Sequence, residues 1–132
     1  FRIFQEMSTN YGRIDLFIEF KVDGEYKCLL IENKIHADDQ KNQLTRYYNY
    51  LNEEIEVPEG AGHLVYLTKW CSTPSEYSIK QRVATKLRES GELIEIGYHT
   101  HILPWLKSCH SLVSSKKVSY ALLQYITTVE GL

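Results

Sequence analysis

Two short runs of residues stand out because each places acidic side chains within β-forming apolar sequence. The first run, residues 12–16, reads GRIDL, and the second, residues 30–34, reads LIENK. Asp23-Gly24 lies between them, and Asp-Gly flanked by apolar runs is a strong signal for a two-residue hairpin turn. The two runs are therefore predicted to be adjacent antiparallel strands. Two carboxylates and a lysine would then meet near one end of a sheet, as a divalent-metal site beside a phosphodiester would require.

The three side chains are Asp15, Glu32 and Lys34. Residues two apart on a strand share a face, so Glu32 and Lys34 point the same way, and Asp15 joins them if the register allows. Mg²⁺ and Mn²⁺ prefer oxygen ligands, and Mg²⁺ is usually held by one or two carboxylates plus waters and substrate phosphates. Asp15, Glu32 and the backbone carbonyl of Asn33 are the predicted donors. Lys34 would orient the attacking water or stabilise the transition state.

The alternative is that Glu32 and Lys34 form an ordinary cross-strand or surface ion pair, which would contribute little stability. Residues 28–35 read CLLIENKI, in which three polar residues interrupt an apolar run. Such a run is typical of a central strand covered on both faces. A buried carboxylate is costly unless it is paired or bound to a metal. The local sequence therefore favours a functional site over a solvated pair.

The elements that must position these side chains follow from periodicity and turn signals. Strands are predicted over 2–9, 13–21 and 26–35, with 13–21 alternating well so that Ile14 and Leu16 share a face. A helix should follow, capped by Asp38 or Asp39. The remaining predicted elements are a strand over 63–69, a helix over 78–90, a strand over 92–98, a short helix from Pro104 to about residue 111, and a helix over 115–129. This order predicts an α/β fold with a mixed central sheet flanked by helices.

The bulk properties narrow the class of protein. The 132 residues suit a single domain over 1–132, and an apolar content of 43% is enough for one core. The formal net charge of −2 excludes a generally basic nucleic-acid binder, so any such surface must be a local patch. Three widely spaced cysteines favour a reducing cytoplasm over a disulfide framework. No apolar run approaches the roughly 20 residues that span a bilayer, so no membrane partner is expected.

The predicted helix after the second run carries further candidates. Gln43 and Tyr47 are four residues apart and lie on one helical face, from which they could reach the metal site or a phosphate. The alternative is that Gln43 is solvated and that Tyr47 belongs to the core.

Other polar residues are weaker candidates. Glu6 would be an accessory acidic ligand if residues 2–9 run beside Asp15, although a solvated strand position is the simpler interpretation. Three basic side chains could line a phosphate-binding groove, or they could simply face solvent: Lys41, Arg46 and Lys69.

These motifs resemble those of the PD-(D/E)XK nuclease superfamily. Asp15, a sixteen-residue gap and then Glu32-x-Lys34 resemble its signature, and Gln43-x-x-x-Tyr47 resembles the QxxxY element of its exonuclease branch. Five segments of the sequence are also similar to a bacterial family of this superfamily: Gly12–Asp15, Ile31–Ile35, Gln43–Tyr48, Val65–Thr68 and Gln124-Tyr125. Ile14 stands where the superfamily name has proline, a position that supplies no metal ligand.

The resemblance implies a restriction-endonuclease-like core of helix, three strands, helix and strand. Asp15 would lie on the second core strand, Glu32 and Lys34 on the third, and Gln43 with Tyr47 on the second core helix. The first core helix would precede residue 2, so the chain is expected to be truncated at its N-terminus.

The activity implied by the resemblance is hydrolysis of DNA phosphodiester bonds with Mg²⁺ or Mn²⁺. DNA is therefore the expected partner, and a homodimer is possible because two-strand cleavage would often require one. The alternative is a catalytically inactive module that keeps the nuclease fold for binding. The expected absence of the first helix and the negative net charge favour that alternative.

Overall fold

A five-stranded mixed sheet forms the centre of the computed structural model, which describes residues 1–132. The spatial order of the strands follows their order in the chain, with β1–β3 antiparallel and β3–β5 parallel. The strands are β1 (Arg2–Thr9), β2 (Gly12–Val22), β3 (Glu25–Lys34), β4 (Gly62–Thr68) and β5 (Leu93–Gly97). Because β3, β4 and β5 run the same way, their carboxyl ends meet at one edge of the sheet.

Four α-helices flank this sheet, and two of them adjoin a short π-helical turn. The helices are α1 (Gln43–Asn49), α2 (Gln81–Ser90), α3 (Leu103–Leu112) and α4 (Lys116–Glu130). One π-helical turn, Tyr50–Glu54, continues α1, and the other, Tyr98–Ile102, leads into α3. The predicted α/β class, with a mixed sheet flanked by helices, is confirmed. No helix is both long and apolar enough to cross a membrane.

The predicted hairpin between β2 and β3 is confirmed. Asp23 and Gly24 both have positive φ, 52° and 82°, which is the conformation that a type I′ turn requires at both central positions. The two strands pair without interruption from Val22↔Glu25 to Leu16↔Ile31. Pairing stops just before Asp15, at the end of the sheet where the acidic residues lie.

The predicted alternation along β2 is wrong at Asp15. The pairs on either side of Asp15 and Glu6 stay in register between β1 and β2, but these two residues are unpaired, and Glu6 has a φ of 51°. No residue is inserted, because the register is the same on both sides of the break. Across it Ile14 and Phe17, three residues apart, both enter the core, whereas Leu16 lines a cavity beside Asp15.

The predicted start of α1 is also wrong. The helix begins at Gln43, after Asn42 in the left-handed conformation with a φ of 53°, and no side chain caps it. The Asp39 carboxylate instead accepts hydrogen bonds from the Tyr66 hydroxyl at 2.9 Å and from the Ser75 backbone N–H at 2.7 Å. Because Asp39 is bound to β4 and to the loop after it, residues 37–42 stay outside the helix. The second helix likewise begins at Gln81 rather than at residue 78.

The main core lies on one side of the sheet, beneath α1 and α2. It contains fourteen buried residues, which are Ile14, Phe17, Cys28, Leu30, Leu44, Tyr47, Tyr50, Leu51, Leu64, Tyr66, Ile79, Ala84, Leu87 and Leu93. A smaller cluster of Leu106, Ile126 and Val129 joins α3 to α4. All three cysteines are free. The buried polar residues Glu32 and Lys34 lie where the main core meets the carboxyl end of β3.

Candidate active site

Glu32 and Lys34 point from the end of β3 into the protein. Their side chains are each 5% exposed, and Lys34 Nζ lies 3.1 Å from Glu32 Oε1. Lys34 Nζ also donates to the backbone carbonyl of Asp38 at 2.9 Å. These two contacts use two of the three ammonium donors, so one donor is left for another ligand. The interpretation of Glu32 and Lys34 as a solvated surface pair is therefore wrong.

Gln43, the first residue of α1, lies against Glu32. Its Nε2 donates to Glu32 Oε1 at 2.8 Å and to the Tyr47 hydroxyl at 3.4 Å. Gln43 is only 3% exposed, so the alternative of a solvated Gln43 is wrong. The i,i+4 spacing of Gln43 and Tyr47 thus lets the Gln43 amide contact both the buried Glu32 carboxylate and the Tyr47 hydroxyl.

One oxygen of Glu32 has no partner. Oε1 is shared by Lys34 and Gln43, whereas Oε2 is buried without a hydrogen bond. Burial raises the pKa of Glu32 from 4.5 to about 7, the charge of Asp15 adds to this, and Lys34 and Gln43 oppose it. A buried acceptor without a partner is unusual in a folded protein. A cation at Oε2 would supply the missing interaction, so this carboxylate fits a metal ligand.

Asp15 lies on the neighbouring strand, where the pairing of β2 with β3 has ended. Its Oδ2 accepts a hydrogen bond from the Asn33 backbone N–H at 2.8 Å. The N–H and C=O of one strand residue are directed toward the same neighbouring strand. The Asn33 carbonyl is therefore directed toward the β2 side of β3, at the strand end where Asp15 and Glu32 also lie.

No group of three or more His, Cys, Asp or Glu side chains is placed to hold a metal ion. An ion between Asp15 and Glu32 would therefore take its remaining ligands from a backbone carbonyl, waters or substrate. Mg²⁺ commonly binds in this way, whereas structural zinc takes four protein ligands. The donor set thus fits a hard divalent cation.

Tyr47 and Arg46 hold α1 against the first residues of β2. The Tyr47 hydroxyl donates to the Arg13 carbonyl at 2.6 Å, and Arg46 Nη1 donates to the Tyr11 carbonyl at 2.7 Å. A Cβ on Gly12 would come within 2.7 Å of Arg46 Nη1 and 3.2 Å of the Tyr47 ring. Tyr47 is 1% exposed, so it belongs to the core as well as to the site.

The accessory candidate, Glu6, lies near Asp15 but is already paired. It is exposed, and it lines a cavity of about 340 Å³ together with Asp15 and Asn33. Its Oε2 lies 2.6 Å from Arg13 Nη2, in an ion pair whose side chains are both largely exposed. An exposed pair of this kind is weak and can open for a ligand. The role of Glu6 as an accessory ligand stays a prediction.

The three candidate phosphate contacts occupy different surroundings. Lys41 is exposed in the turn before α1. Arg46 binds the Tyr11 carbonyl and also donates to Gln40 Oε1 at 3.3 Å. Lys69 follows β4, and its Nζ lies 5.8 Å from the centre of the Trp70 ring. Arg46 therefore already has a structural role, and contact of any of the three with phosphate stays a prediction.

Several positioning residues were missed at the sequence level. Ser78 is fully buried, and its Oγ accepts from the Leu44 N–H at 3.2 Å, which supports the first turn of α1. Asp39 ties the preceding loop to Tyr66 and Ser75, and the Asp38 carbonyl holds Lys34. No periodic pattern marks these residues, because each acts through a loop whose path depends on the packed core.

Comparison with known protein families agrees with this geometry. The family model of the PD-(D/E)XK nuclease superfamily matches residues 1–127. Members of this superfamily typically use divalent metals. Searches of curated proteins and of solved structures gave no significant match. With three strands, a helix and a further strand in the expected order, and with a family match over nearly its whole length, the chain belongs to the PD-(D/E)XK nuclease superfamily.

Proposed function

We propose that the protein is a metal-dependent nuclease that hydrolyses phosphodiester bonds of DNA, with Mg²⁺ or Mn²⁺ as the ion. The strongest support is the buried carboxylate of Glu32. Its Oε2 lacks any partner, although its Oε1 contacts both Lys34 and Gln43. Membership of a nuclease superfamily supplies the reaction class. The Asp15 carboxylate on the adjacent strand supplies a second charged oxygen ligand.

The metal ligands in this proposal are Asp15, Glu32 and the backbone carbonyl of Asn33. When bound, the ion would lower the pKa of an attacking water and neutralise charge on the phosphate. The chain itself keeps the two carboxylates ready, because the Asn33 N–H holds Asp15 and Gln43 holds Glu32. Since both carboxylates are fixed before the ion arrives, little conformational entropy remains to be lost on binding.

Lys34 would act directly on the reacting groups. Its ammonium is held by Glu32 and by the Asp38 carbonyl, with one N–H donor remaining. That donor would hold the attacking water or a phosphate oxygen, where a fixed positive charge stabilises the charge that develops in the transition state. Gln43 and Tyr47 would position Glu32, and Glu6 would assist as an accessory ligand. The substrate backbone would contact Lys41, Arg46 and Lys69.

A cleavage assay tests the proposal. Circular single-stranded DNA, plasmid DNA and linear DNA would be incubated with Mg²⁺, with Mn²⁺ or with a chelator. Cleavage is expected only with an ion, and breakage of the circles would identify an endonuclease. Asp15→Asn, Glu32→Gln and Lys34→Ala should each lower the rate by roughly 100-fold or more, as removal of one transition-state contact does in other enzymes.

Asp23→Asn is the matched control, because Asp23 lies on the same hairpin as Asp15 but about 26 Å away along the strand. Asn tolerates the positive φ of this turn position, so the variant should fold and cleave normally. If the folded wild-type protein binds the ion and DNA but cleaves none of the substrates, the proposal is wrong. The inactive nuclease-fold binding module is then favoured.

A further inference from the structure

An exposed aromatic pair lies just beyond the ends of β4 and β5. Trp70 is 59% exposed. Its ring is nearly parallel to that of His99, with ring centroids 4.0 Å apart and an angle of 13° between the ring planes. Lys69 Nζ is 5.8 Å from the centre of the same indole. An indole that is left this exposed contributes little to the core, so core packing does not explain its placement.

The backbone around Trp70 is held firmly although its side chain faces solvent. Cys71 has a left-handed φ of 67°, which is costly for a residue other than glycine unless its surroundings enforce it. The Ser72 N–H donates to Thr68 Oγ1 at 2.7 Å, and the His99 N–H donates to the Lys69 carbonyl at 3.1 Å. These contacts fix the backbone that carries the indole before any ligand arrives, which limits the entropy lost on binding.

Gly97 lets the loop that carries Trp70 approach β5 closely. A Cβ at Gly97 would lie 2.9 Å from the carbonyl carbon of Trp70 and would fall on the backbone nitrogen of Cys71. Because this contact is between backbones, no side chain could move to make room. The backbone at Gly97 therefore packs closely against the backbone of Trp70 and Cys71, next to the place where Trp70 and His99 stack.

The pair lies at the same edge of the sheet as the acidic site. Thr68, two residues before Trp70, pairs with Lys34 on one side and with Gly97 on the other. With neighbouring strands about 4.8 Å apart, the end of β5 lies about 10 Å from Lys34. Tyr98, the neighbour of His99, lines the same cavity as Asp15. The aromatic pair and the candidate metal ligands therefore lie at the same end of the sheet.

We infer that Trp70, backed by His99, is a stacking platform for an unpaired base of single-stranded DNA next to the cleavage site. The inference rests on the proposed nuclease function. Every base has a π face, so stacking on an aromatic side chain binds single strands with little sequence preference. His99 covers one face of the indole, and the base stacks on the other. The Lys69 ammonium, which lies over the indole ring, then moves to a neighbouring phosphate. Bases within a duplex stack on one another and do not reach Trp70.

The two tryptophans of the chain make a fluorescence test possible. Trp105, on α3, is 61% exposed and so matches Trp70 in accessibility. Trp105→Phe keeps Trp70 as the sole tryptophan, and Trp70→Phe keeps Trp105. Both variants would be titrated with an oligothymidylate of about 12 residues in the presence of a chelator, a length within the usual range of single-strand sites. Quenching is expected in Trp105→Phe and not in Trp70→Phe.

Affinity measurements separate stacking from charge. Trp70→Ala should weaken binding of the oligothymidylate roughly 5- to 150-fold, the range that corresponds to loss of one stacked base. This loss should be similar at low and high salt, whereas the loss in Lys69→Ala should shrink as salt rises. Trp105→Ala should bind as the wild type does. An equal loss in Trp70→Ala and Trp105→Ala would overturn the inference.

The outcomes also separate this inference from the proposed function. If Trp70 is not quenched while the protein still cleaves single-stranded DNA in an Asp15-dependent way, the platform is wrong and the nuclease proposal stands. If the oligothymidylate quenches Trp70 but no divalent ion supports cleavage, the platform stands and the nuclease proposal is wrong. A duplex of the same length that quenches Trp70 equally well would overturn the preference for unpaired bases.

Discussion

The Glu32 carboxylate is subject to opposing influences within a few ångströms. Burial and the charge of Asp15 disfavour its ionised form, while Lys34 and Gln43 favour it, and the pKa is raised from 4.5 to about 7. A carboxylate that titrates near neutral pH differs from an ordinary surface glutamate, which is already ionised at neutral pH. The ionised form is the one that binds a cation, so proton and metal compete for Glu32.

The competition predicts a pH-dependent metal affinity. Below pH 7 Glu32 is largely protonated, so Mn²⁺ must displace a proton, and the affinity should fall about tenfold for each pH unit below that value. Above pH 8 the affinity should level off. Calorimetry at pH 6 and pH 8, in buffers of different ionisation enthalpy, would measure both the affinity and the proton release. Equal affinity at the two pH values, without proton release, would contradict the assignment of Glu32.

Gln43 has a positioning role that can be told apart from a merely structural one. Its hydrogen bond to Glu32 Oε1 favours the ionised carboxylate and lowers its pKa. Gln43→Ala should therefore move the pH midpoint of Mn²⁺ binding to a higher value. Gln124→Ala, on the exposed side of α4, is the control and should leave the midpoint unchanged. A weaker but pH-independent affinity in Gln43→Ala would indicate only a packing defect.

At the scale of elements, the site depends on how closely α1 approaches the start of β2. Tyr47 binds the carbonyl of Arg13 on β2, and Arg46 binds the carbonyl of Tyr11 in the turn before it. Gly12 lies between these two residues and has no side chain to obstruct the contact. The φ of Gly12 is 131°, a conformation that residues with a Cβ rarely adopt. A glycine at this position therefore allows the helix that carries Gln43 to lie close to the strand that carries Asp15.

Substitution of Gly12 tests this close contact. Gly12→Ala should lower the free energy of unfolding by about 2–4 kcal/mol, because backbone strain is added to a collision with Arg46 and Tyr47. Gly24→Ala is the matched control, since Gly24 also has a positive φ, 82°, but has open space around it. There the loss should be about 1–2 kcal/mol. Urea denaturation would compare the free energies of unfolding of the two variants. Equal losses of stability would show that backbone strain alone is responsible.

At the scale of the whole molecule, ionisation of Glu32 links stability to pH. Its pKa is higher in the folded protein than in the unfolded chain. The contribution of Glu32 to stability is therefore fully present below pH 4.5 and is lost as the pH rises through about 7. A cation bound to the ionised carboxylate reverses this loss, because it binds the folded protein and not the unfolded chain.

Thermal unfolding would measure this linkage. At an ion concentration of about 100 times Kd, Mg²⁺ or Mn²⁺ should stabilise the protein by about 2.7 kcal/mol, which corresponds to a rise in Tm on the order of 10 °C for a chain of this size. The rise should be larger at pH 8 than at pH 6, and it should largely disappear in Asp15→Asn. A rise that persists in Asp15→Asn would place the ion elsewhere in the molecule.

The local features of this protein could be predicted from its sequence. The Asp23-Gly24 turn favours one hairpin geometry, and the two-residue period of β3 puts Glu32 and Lys34 on one face. The spacing of Gln43 and Tyr47 likewise places both on one side of a helix. Each of these depends on preferences that act over a few residues, so each can be predicted without knowledge of long-range contacts.

Only the tertiary structure decided how these local pieces meet. Asp15 leaves the regular ladder, Gln43 donates to Glu32 from a separate element, and α1 begins where Asp39 and Ser78 place it. The stacking of Trp70 on His99 joins residues 29 positions apart in the chain. Such contacts arise when distant segments pack around one core, and no local periodicity encodes them. The residue types and their spacing thus specify the chemistry available, and packing determines which atoms can act together.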